Sequence, residues 1–302
     1  MVFKARPCKS RWEGLLVTGW ILLVDLLLII WMARRSVDWL QFLLLLLVLI
    51  SLPVLVHLAW RTWAAWTLEY WVDRNAVTVR WGLVRQIVPL HRIRRVIEGG
   101  ILELGQGGRL EWPAPYLRRA RGLGLLTVDM FATVPLSQCL LLETDEAIFA
   151  LSPAEPARFL DALQEHYRLG PVRDLPISRQ EDAWWLRLLS QEGVGVWLLL
   201  GGFVGTILLF GYLMIHFPNL PDALAFHYNS EGLPDVIRAK TALFLLPAIG
   251  LLTWLVNGLW GLWMIFRRQR TGAYMLWGGT LIVQICSLLA LHSLILNSLN
   301  PG

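Results

Sequence analysis

The sequence predicts a multi-pass α-helical membrane protein of about five transmembrane helices, with a β-barrel or sandwich domain inserted among them and capped by one carboxy-terminal helix. Three observations predict it. Of the 302 residues, 56% are hydrophobic and only 16% charged, whereas a soluble domain is about a quarter charged. Five apolar segments reach the roughly 20 helical residues that cross a hydrocarbon core of ~30 Å. Between the second and third, continuous apolar sequence gives way to short alternating runs. The 17 tryptophans suit this class, since an indole combines an apolar body with one N–H donor and collects at the membrane interface.

The first two spans are read at 14–33 and 37–60. The opening "MVFKARPCKSRWEG" with the apolar run behind it imitates a signal peptide. That run ends in Met32, Ala33, Arg34 and Arg35 without a small-residue cleavage site, and is read as a retained span. The remaining spans fall at 194–216, 241–266 and 273–296. The organisation expected is two transmembrane helices over 1–60, a β domain over 61–170, an amphipathic linker over 171–193, and a three-helix membrane domain over 194–302 with a polar loop at 217–240. Lysine and arginine close to the spans set the orientation. Lys4, Arg6, Lys9 and Arg11, the β domain, and Arg267, Arg268 and Arg270 all come out on one side. That side is expected to be the cytoplasm of a bacterial cell, with the chain in the inner membrane and the polar loop facing outward. The Arg34–Arg35 pair is the one dissenting signal.

In the β domain "TLEYWV", "AVTVRW", "VRQIVPL", "ILEL", "GLLTVDMFAT", "QCLLLET" and "AIFALS" alternate between apolar and polar and are bounded by Asp, Asn, Gly or Pro, as strands of an antiparallel sheet are. "GQGG" reads as a hairpin turn. A helix follows, with Ser152 as its cap, Pro153 in the first helical position and Glu155 completing a capping box. Phe159, Leu160, Leu163 and Tyr167 share one face, and Gly170 with Pro171 stops it. The segment "YWVDRNAVTVRWGLVRQIVPLHRIRRV", with Pro89, Leu90 and an Ile93-x-x-Val96 turn, resembles the opening of bacterial pleckstrin-homology domains. The later "FATVPLSQCLLLETDEAIFALSPAEPARFLDALQ" is similar to the segment that closes them. The resemblance covers roughly 67–168 and implies a pleckstrin-homology-like fold.

Arg92, Arg94 and Arg95 are candidate contacts for anionic lipid, because each juxtamembrane cation contributes about 1 kcal/mol at a negative leaflet. Against that, 61–193 holds 16 Arg and 16 Asp plus Glu, so the block is neutral and the cations also read as a solvated face. No nucleic-acid motif accompanies them.

Between the third and fourth spans stands "FHYNSEGLPD". Asn229 and Gly232 suit positive φ, Pro234 fixes φ, and Asp235 accepts from N–H groups that a turn leaves free. Leu220, Pro221, His227, Asn229, Gly232, Pro234, Asp235, Lys240 and Pro247 resemble, in spacing, a bacterial membrane domain of unknown function found in relatives of SdpI-type immunity proteins; the likeness covers roughly 197–266 and implies no established activity. Phe226, His227 and Tyr228, with Asn229, Gly232, Pro234 and Asp235, make the loop a candidate contact surface for a peptide or protein partner. A metal reading of His216, His227, Asp222 and Asp235 follows no ligand spacing.

Asp25, Asn257 and Gln284 lie at similar depth within their spans. Asp25 is expected to approach both amides, protonated or hydrogen-bonded to them, either as an interhelical contact or as part of a solute or proton pathway. Gly201 and Gly205 offer a G-x-x-x-G packing face. No catalytic set, phosphate loop, metal motif or cofactor signature is present, and the three cysteines show no ligand spacing. The expectation is a non-enzymatic envelope protein of signalling, immunity or binding character, without cofactors, in contact with the bilayer and able to meet a second copy. The alternative is a small transporter that uses Asp25.

Overall fold

The computed structural model describes residues 1–98, 112–114, 116–121, 127–170, 172–173, 175–181, 193–228 and 234–299. Among the described residues five helices are long and apolar enough to cross a membrane: α1 (Ser10–Met32), α2 (Trp39–Trp66) and, after a short helix α3 (Pro156–Leu169), α4 (Gly193–His216), α5 (Leu245–Phe266) and α6 (Arg270–Leu299). The chain divides into two compact units, Met1–Leu26 with Ile50–Trp184, and Leu27–Leu49 with Trp185–Gly302.

The first unit contains the β domain. Strands β1 (Val2–Lys4), β2 (Glu69–Val72), β3 (Ala76–Trp81), β4 (Val84–Pro89) and β10 (Ser178–Glu181) form one antiparallel sheet in the order β1-β2-β3-β4-β10. A second sheet runs β5-β8-β9-β7-β6, built from β5 (Ile93–Glu98), β6 (Leu117–Arg121), β7 (Thr127–Phe131), β8 (Leu140–Thr144) and β9 (Ala147–Leu151), with only β7 and β9 parallel. The sheets do not close into a barrel, so of the two expected forms the open one is found. Alternation explains the core. Tyr70 and Val72 point inward while Trp71 between them is exposed. Val77, Val79 and Val88 of the first sheet meet Leu142, Phe149 and Leu151 of the second, and Phe159 and Leu163 of α3 complete the cluster. Gly82 adopts φ +52° in the two-residue turn between β3 and β4, where a hairpin matched to strand twist needs positive φ.

Two local readings change. The stretch Ile93–Val96, expected as a turn, is strand β5, paired with β8. Helix α3 begins at Pro156, not Pro153, and has no side-chain cap at its start. Ser152 is engaged elsewhere: its N–H donates to the Tyr70 hydroxyl at 3.0 Å, and its oxygen accepts from Thr133 N–H at 2.9 Å. Pro153 bridges Ala5 instead of opening the helix. Gly170 ends α3 at φ +67°, as expected, and Arg74 caps that end by donating to the carbonyls of Leu169 and Gly170 at 2.9 and 3.0 Å. The "ILEL" and "GQGG" readings, and most of the amphipathic linker, lie outside the described residues.

A buried polar knot joins the sheets to the amino-terminal segment. The Tyr70 hydroxyl donates to Phe131 O at 2.7 Å, Thr133 Oγ1 donates to Arg6 O at 2.7 Å, and Arg6 N–H donates to Ser152 O at 2.8 Å. Burial raises the Tyr70 phenol well above its ordinary value, although its bond to Ser152 works in the opposite direction. The Cys139 thiol is pushed up to about 12, also by burial, and stays a neutral thiol at physiological pH. Arg61, near the end of α2, donates to Ala114 O at 2.5 Å and Leu117 O at 3.2 Å. Pro113 lies against Gly14 of α1, where a Cβ would meet its ring at 2.5 Å. The β domain is therefore seated directly on the ends of α1 and α2.

In the second unit Asp38 caps α2, accepting from Gln41 N–H at 2.7 Å; that bond, more than Arg35 beside it, holds the Asp38 carboxyl below the usual carboxylate range. Arg35 pairs with Asp38 at 3.2 Å and lies over the Trp31 ring, which compensates locally one of the two charges that dissent from the orientation count. Helices α4, α5 and α6 pack through glycine and tryptophan. Trp277, 2% exposed, fits against Gly195 and Gly261 and donates from Nε1 to Asn257 O at 3.1 Å. Trp254 fits over Gly202 and donates to Leu199 O at 2.9 Å.

Tyr70→Phe is expected to destabilise the protein by about 1–3 kcal/mol, because the partners of a buried hydroxyl are left unsatisfied; chemical denaturation in detergent followed through the β-domain signal checks this. A Cβ at Gly205 would enter the Gln284 side chain and one at Gly202 would meet Trp254 at 2.7 Å, whereas at Gly201 the nearest atom is 3.4 Å away. Gly202→Ala and Gly205→Ala are therefore expected to lower thermal stability by an overpacking cost of about 1–3 kcal/mol, partly offset by the helix preference of alanine. Gly201→Ala should leave it within about 0.5 kcal/mol.

Candidate functional site

The polar stretch between α4 and α5 is a β-hairpin. Strands β11 (Ala223–Tyr228) and β12 (Pro234–Ala239) pair antiparallel from Ala223 with Ala239 to Tyr228 with Pro234, with irregular register around His227. Asn229 and Gly232 of the expected recognition loop lie outside the described residues, and for His227, Tyr228 and Pro234 only the backbone is described. Asp235 is exposed at the start of β12.

The base of the hairpin is built on an apolar cluster. Phe217 follows α4, Leu220 leads into β11, Leu224 lies in that strand, and Leu243 precedes α5; all are buried with Leu209, Leu213, Leu291 and Ile295 of the helices. Phe226, expected as an exposed contact, is half-buried and packs on this cluster. Lys240 fastens the base: its ammonium donates to Leu220 O at 3.3 Å, pairs with Asp222 at 3.0 Å and lies 5.1 Å from the Phe217 ring centroid. Its backbone N–H donates to Asp222 O at 3.0 Å. The Asp222 side chain is 96% exposed, so that ion pair is screened and contributes at most about 1 kcal/mol. Beyond this base, Val236 and Ile237 of β12 are exposed, Ile237 at 63%. Both strands of a two-stranded sheet are edges, and an edge presents N–H and C=O groups for further pairing.

Near this base Tyr212 and His292 share a 2.6 Å hydrogen bond between Oη and Nδ1, and the His216 ring lies tilted against Tyr212 at 4.5 Å with Nδ1 2.8 Å from Tyr212 O. Sequence reading singled out His216 alone; the spacing Tyr212 to His216, one helical turn, was the signal for the pair. Among the described residues no three His, Cys, Asp or Glu side chains gather closely enough to hold a metal ion.

Asp25, Asn257 and Gln284 each have a partner within their own unit. Asp25, 7% exposed, accepts from Ser51 at 2.7 Å. Asn257 donates to Thr280 Oγ1 at 3.0 Å and Leu276 O at 3.4 Å. Gln284 donates to Gly202 O at 2.6 Å and Thr206 Oγ1 at 2.8 Å. Asp25 belongs to the first unit and both amides to the second, so each is described with the partners of its own unit. Ser51, Thr206 and Thr280, which receive or complete these bonds, carried no signal beyond being lone hydroxyls in apolar runs.

In the β domain Arg94 pairs with Asp145 and Arg95 with Glu143, the latter across neighbouring strands. Two of the three candidate lipid-contact cations are thus matched by carboxylates, while Arg92 is exposed at the turn before β5. A groove of about 310 Å³ between β5 and α3 has Arg94, Arg95 and Arg168 at its rim and Ile93, Leu163 and Tyr167 along it.

Lys240→Met keeps the stem over Phe217 and removes the ammonium bonds. Amide exchange across Ala223–Ala239 is expected to quicken about two- to tenfold, the loss of one net hydrogen bond of about 0.5–1.5 kcal/mol, with α4 unchanged in hydrogen-exchange mass spectrometry.

Residues 68–167 match a family described as "Bacterial PH domain", and residues 204–251 match "Domain of unknown function (DUF1648)". The first match spans β2 to α3 and leaves β1 and β10 outside it; the second runs from α4 through the hairpin into α5. No curated protein and no solved structure matches the chain. With its five apolar helices, the chain is a membrane protein that carries a bacterial PH domain between its second and third spans and a DUF1648 domain across its third span, hairpin and fourth span.

Proposed function

We propose that the protein is a non-enzymatic binding component of the bacterial inner membrane, in a signalling or immunity role, with its amino terminus and PH domain cytoplasmic and its hairpin outside as the element that meets a peptide or protein. The observation that carries this reading is the hairpin: a sheet that is two-stranded among the described residues, an exposed Ile237, and a base fixed by Leu224, Phe217 and Lys240. A surface that is pre-seated loses little freedom when it is bound, which favours recognition. Asp25 supports the same reading from the other side, since its bond to Ser51 joins α1 to α2 as an interhelical contact does.

The test is photo-crosslinking in native membranes from a reactive residue at Ile237, with mass spectrometry of what is attached. A discrete polypeptide adduct is expected, weakened by Lys240→Met and unaffected by Asp25→Asn. The same probe at Leu208, which is 56% exposed on α4, should capture lipid. Lipid alone from Ile237 overturns the reading, and loss of function in Asp25→Asn with an unchanged adduct would favour a transporter.

A further inference from the structure

We propose that the groove between α1 and α2 binds one anionic phospholipid, an acyl chain lying in the groove and the headgroup phosphate at Arg11. The groove encloses about 980 Å³ and lies wholly within the first unit. It is lined by Leu15, Leu16 and Leu23 of α1 with Ala59 of α2, and by the indoles of Trp12, Trp20, Trp63 and Trp66.

Three features identify the occupant. From Trp12 to Leu23 the lining follows α1 for eleven residues, about 16 Å at 1.5 Å per residue. Half of a hydrocarbon core of ~30 Å is about 15 Å, so the groove matches one leaflet and one acyl chain. The mouth is cationic. Arg11 is held 4.4 Å from the Trp66 ring centroid, Trp66 Nε1 donates to Arg11 O at 3.4 Å, and Trp12 stands edge-on to Trp66. Among the described residues Arg11 has no carboxylate partner and its Nε has no hydrogen-bond acceptor. Lys9, exposed one turn before Trp12, adds a second cation, against the single acid Glu13 in the first turn of α1. Finally, Thr62, 5% exposed, brings into the lining a hydroxyl without a hydrogen-bond partner among the described residues. An apolar trough that ends at an interfacial cation and a hydroxyl has the amphipathic order of a phospholipid, chain first and phosphate last.

Gly19 makes the proposal testable. It lines the groove, and a Cβ there meets no atom within 4 Å, so Gly19→Phe brings a ring to the trough with no clash at its Cβ. The experiment is native mass spectrometry of the detergent-purified full chain, titrated with dioleoyl phosphatidylglycerol or dioleoyl phosphatidylcholine. One phosphatidylglycerol is expected to stay bound, preferred about fivefold or more, the contribution of one cation at an anionic surface. Gly19→Phe should abolish the adduct and Arg11→Gln should erase the preference. Ala59→Leu fills the trough from α2 and serves as the second occlusion, with thermal unfolding of each variant as the check on folding. Equal retention of lipid by both occluded variants, or equal binding of the two lipids by the wild type, means annular lipid only and overturns the proposal.

Discussion

Hydrocarbon offers no water to a polar group, so the two amides that this chain carries into the membrane find their partners on another helix. That constraint shapes the second unit. Gln284 reaches from α6 to a carbonyl and a hydroxyl of α4, and Asn257 joins α5 to α6. These bonds require close helix approach, which only residues without side-chain bulk permit. Hence Gly202 lies beneath Trp254, Gly205 beneath Gln284, and Gly261 beneath Trp277. The glycines and the amides are one design: neither set has a purpose at these distances without the other.

The first unit meets a different requirement, that of joining a water-facing sheet domain to a lipid-facing helix pair. It does so through backbone. β1 precedes α1 and pairs with β2, which follows α2, so the entry and the exit of the helix pair are hydrogen-bonded to each other. Arg61 and Pro113 add a second attachment. The Tyr70 knot strengthens this attachment, since Ser152, Thr133 and Arg6 come from three separate stretches of chain and are held within one buried network. A domain fixed at two places moves with its helices.

The spans were legible because twenty apolar residues admit few other readings, and the central strands because Tyr70 and Val72 alternate with Trp71. What the sequence hid was hidden for identifiable reasons. β1 is three residues long and sits among cations that read as topology signals, and β10, "SRQE", has no apolar alternation. The Ser152-to-Glu155 spacing fits a capping box, but a tyrosine eighty-two positions away in sequence takes the serine, a competition no local pattern reveals. The G-x-x-x-G reading found the right helix and one right glycine; Gly202 rather than Gly201 faces the partner, because which side of a helix is buried depends on neighbours that spacing alone does not name. In the hairpin, the polar residues were conspicuous while the apolar ones that seat it, Leu220, Leu224 and Leu243, looked like ordinary span ends.

The strand order of the first sheet also fixes a sequence of events during synthesis. β1 is made before the other strands of its sheet, yet its partner β2 begins at Glu69, behind both α1 and α2, and β10 arrives only at Ser178. Non-local pairing of this kind is slow to form and leaves unpaired edges exposed while it waits. The sheet therefore completes only after the first helix pair has been made, and a chain whose helices fail to insert side by side brings no β1 to the sheet edge. Completion of the water-facing domain is in this way a readout of correct insertion, written into the order in which the strands are translated.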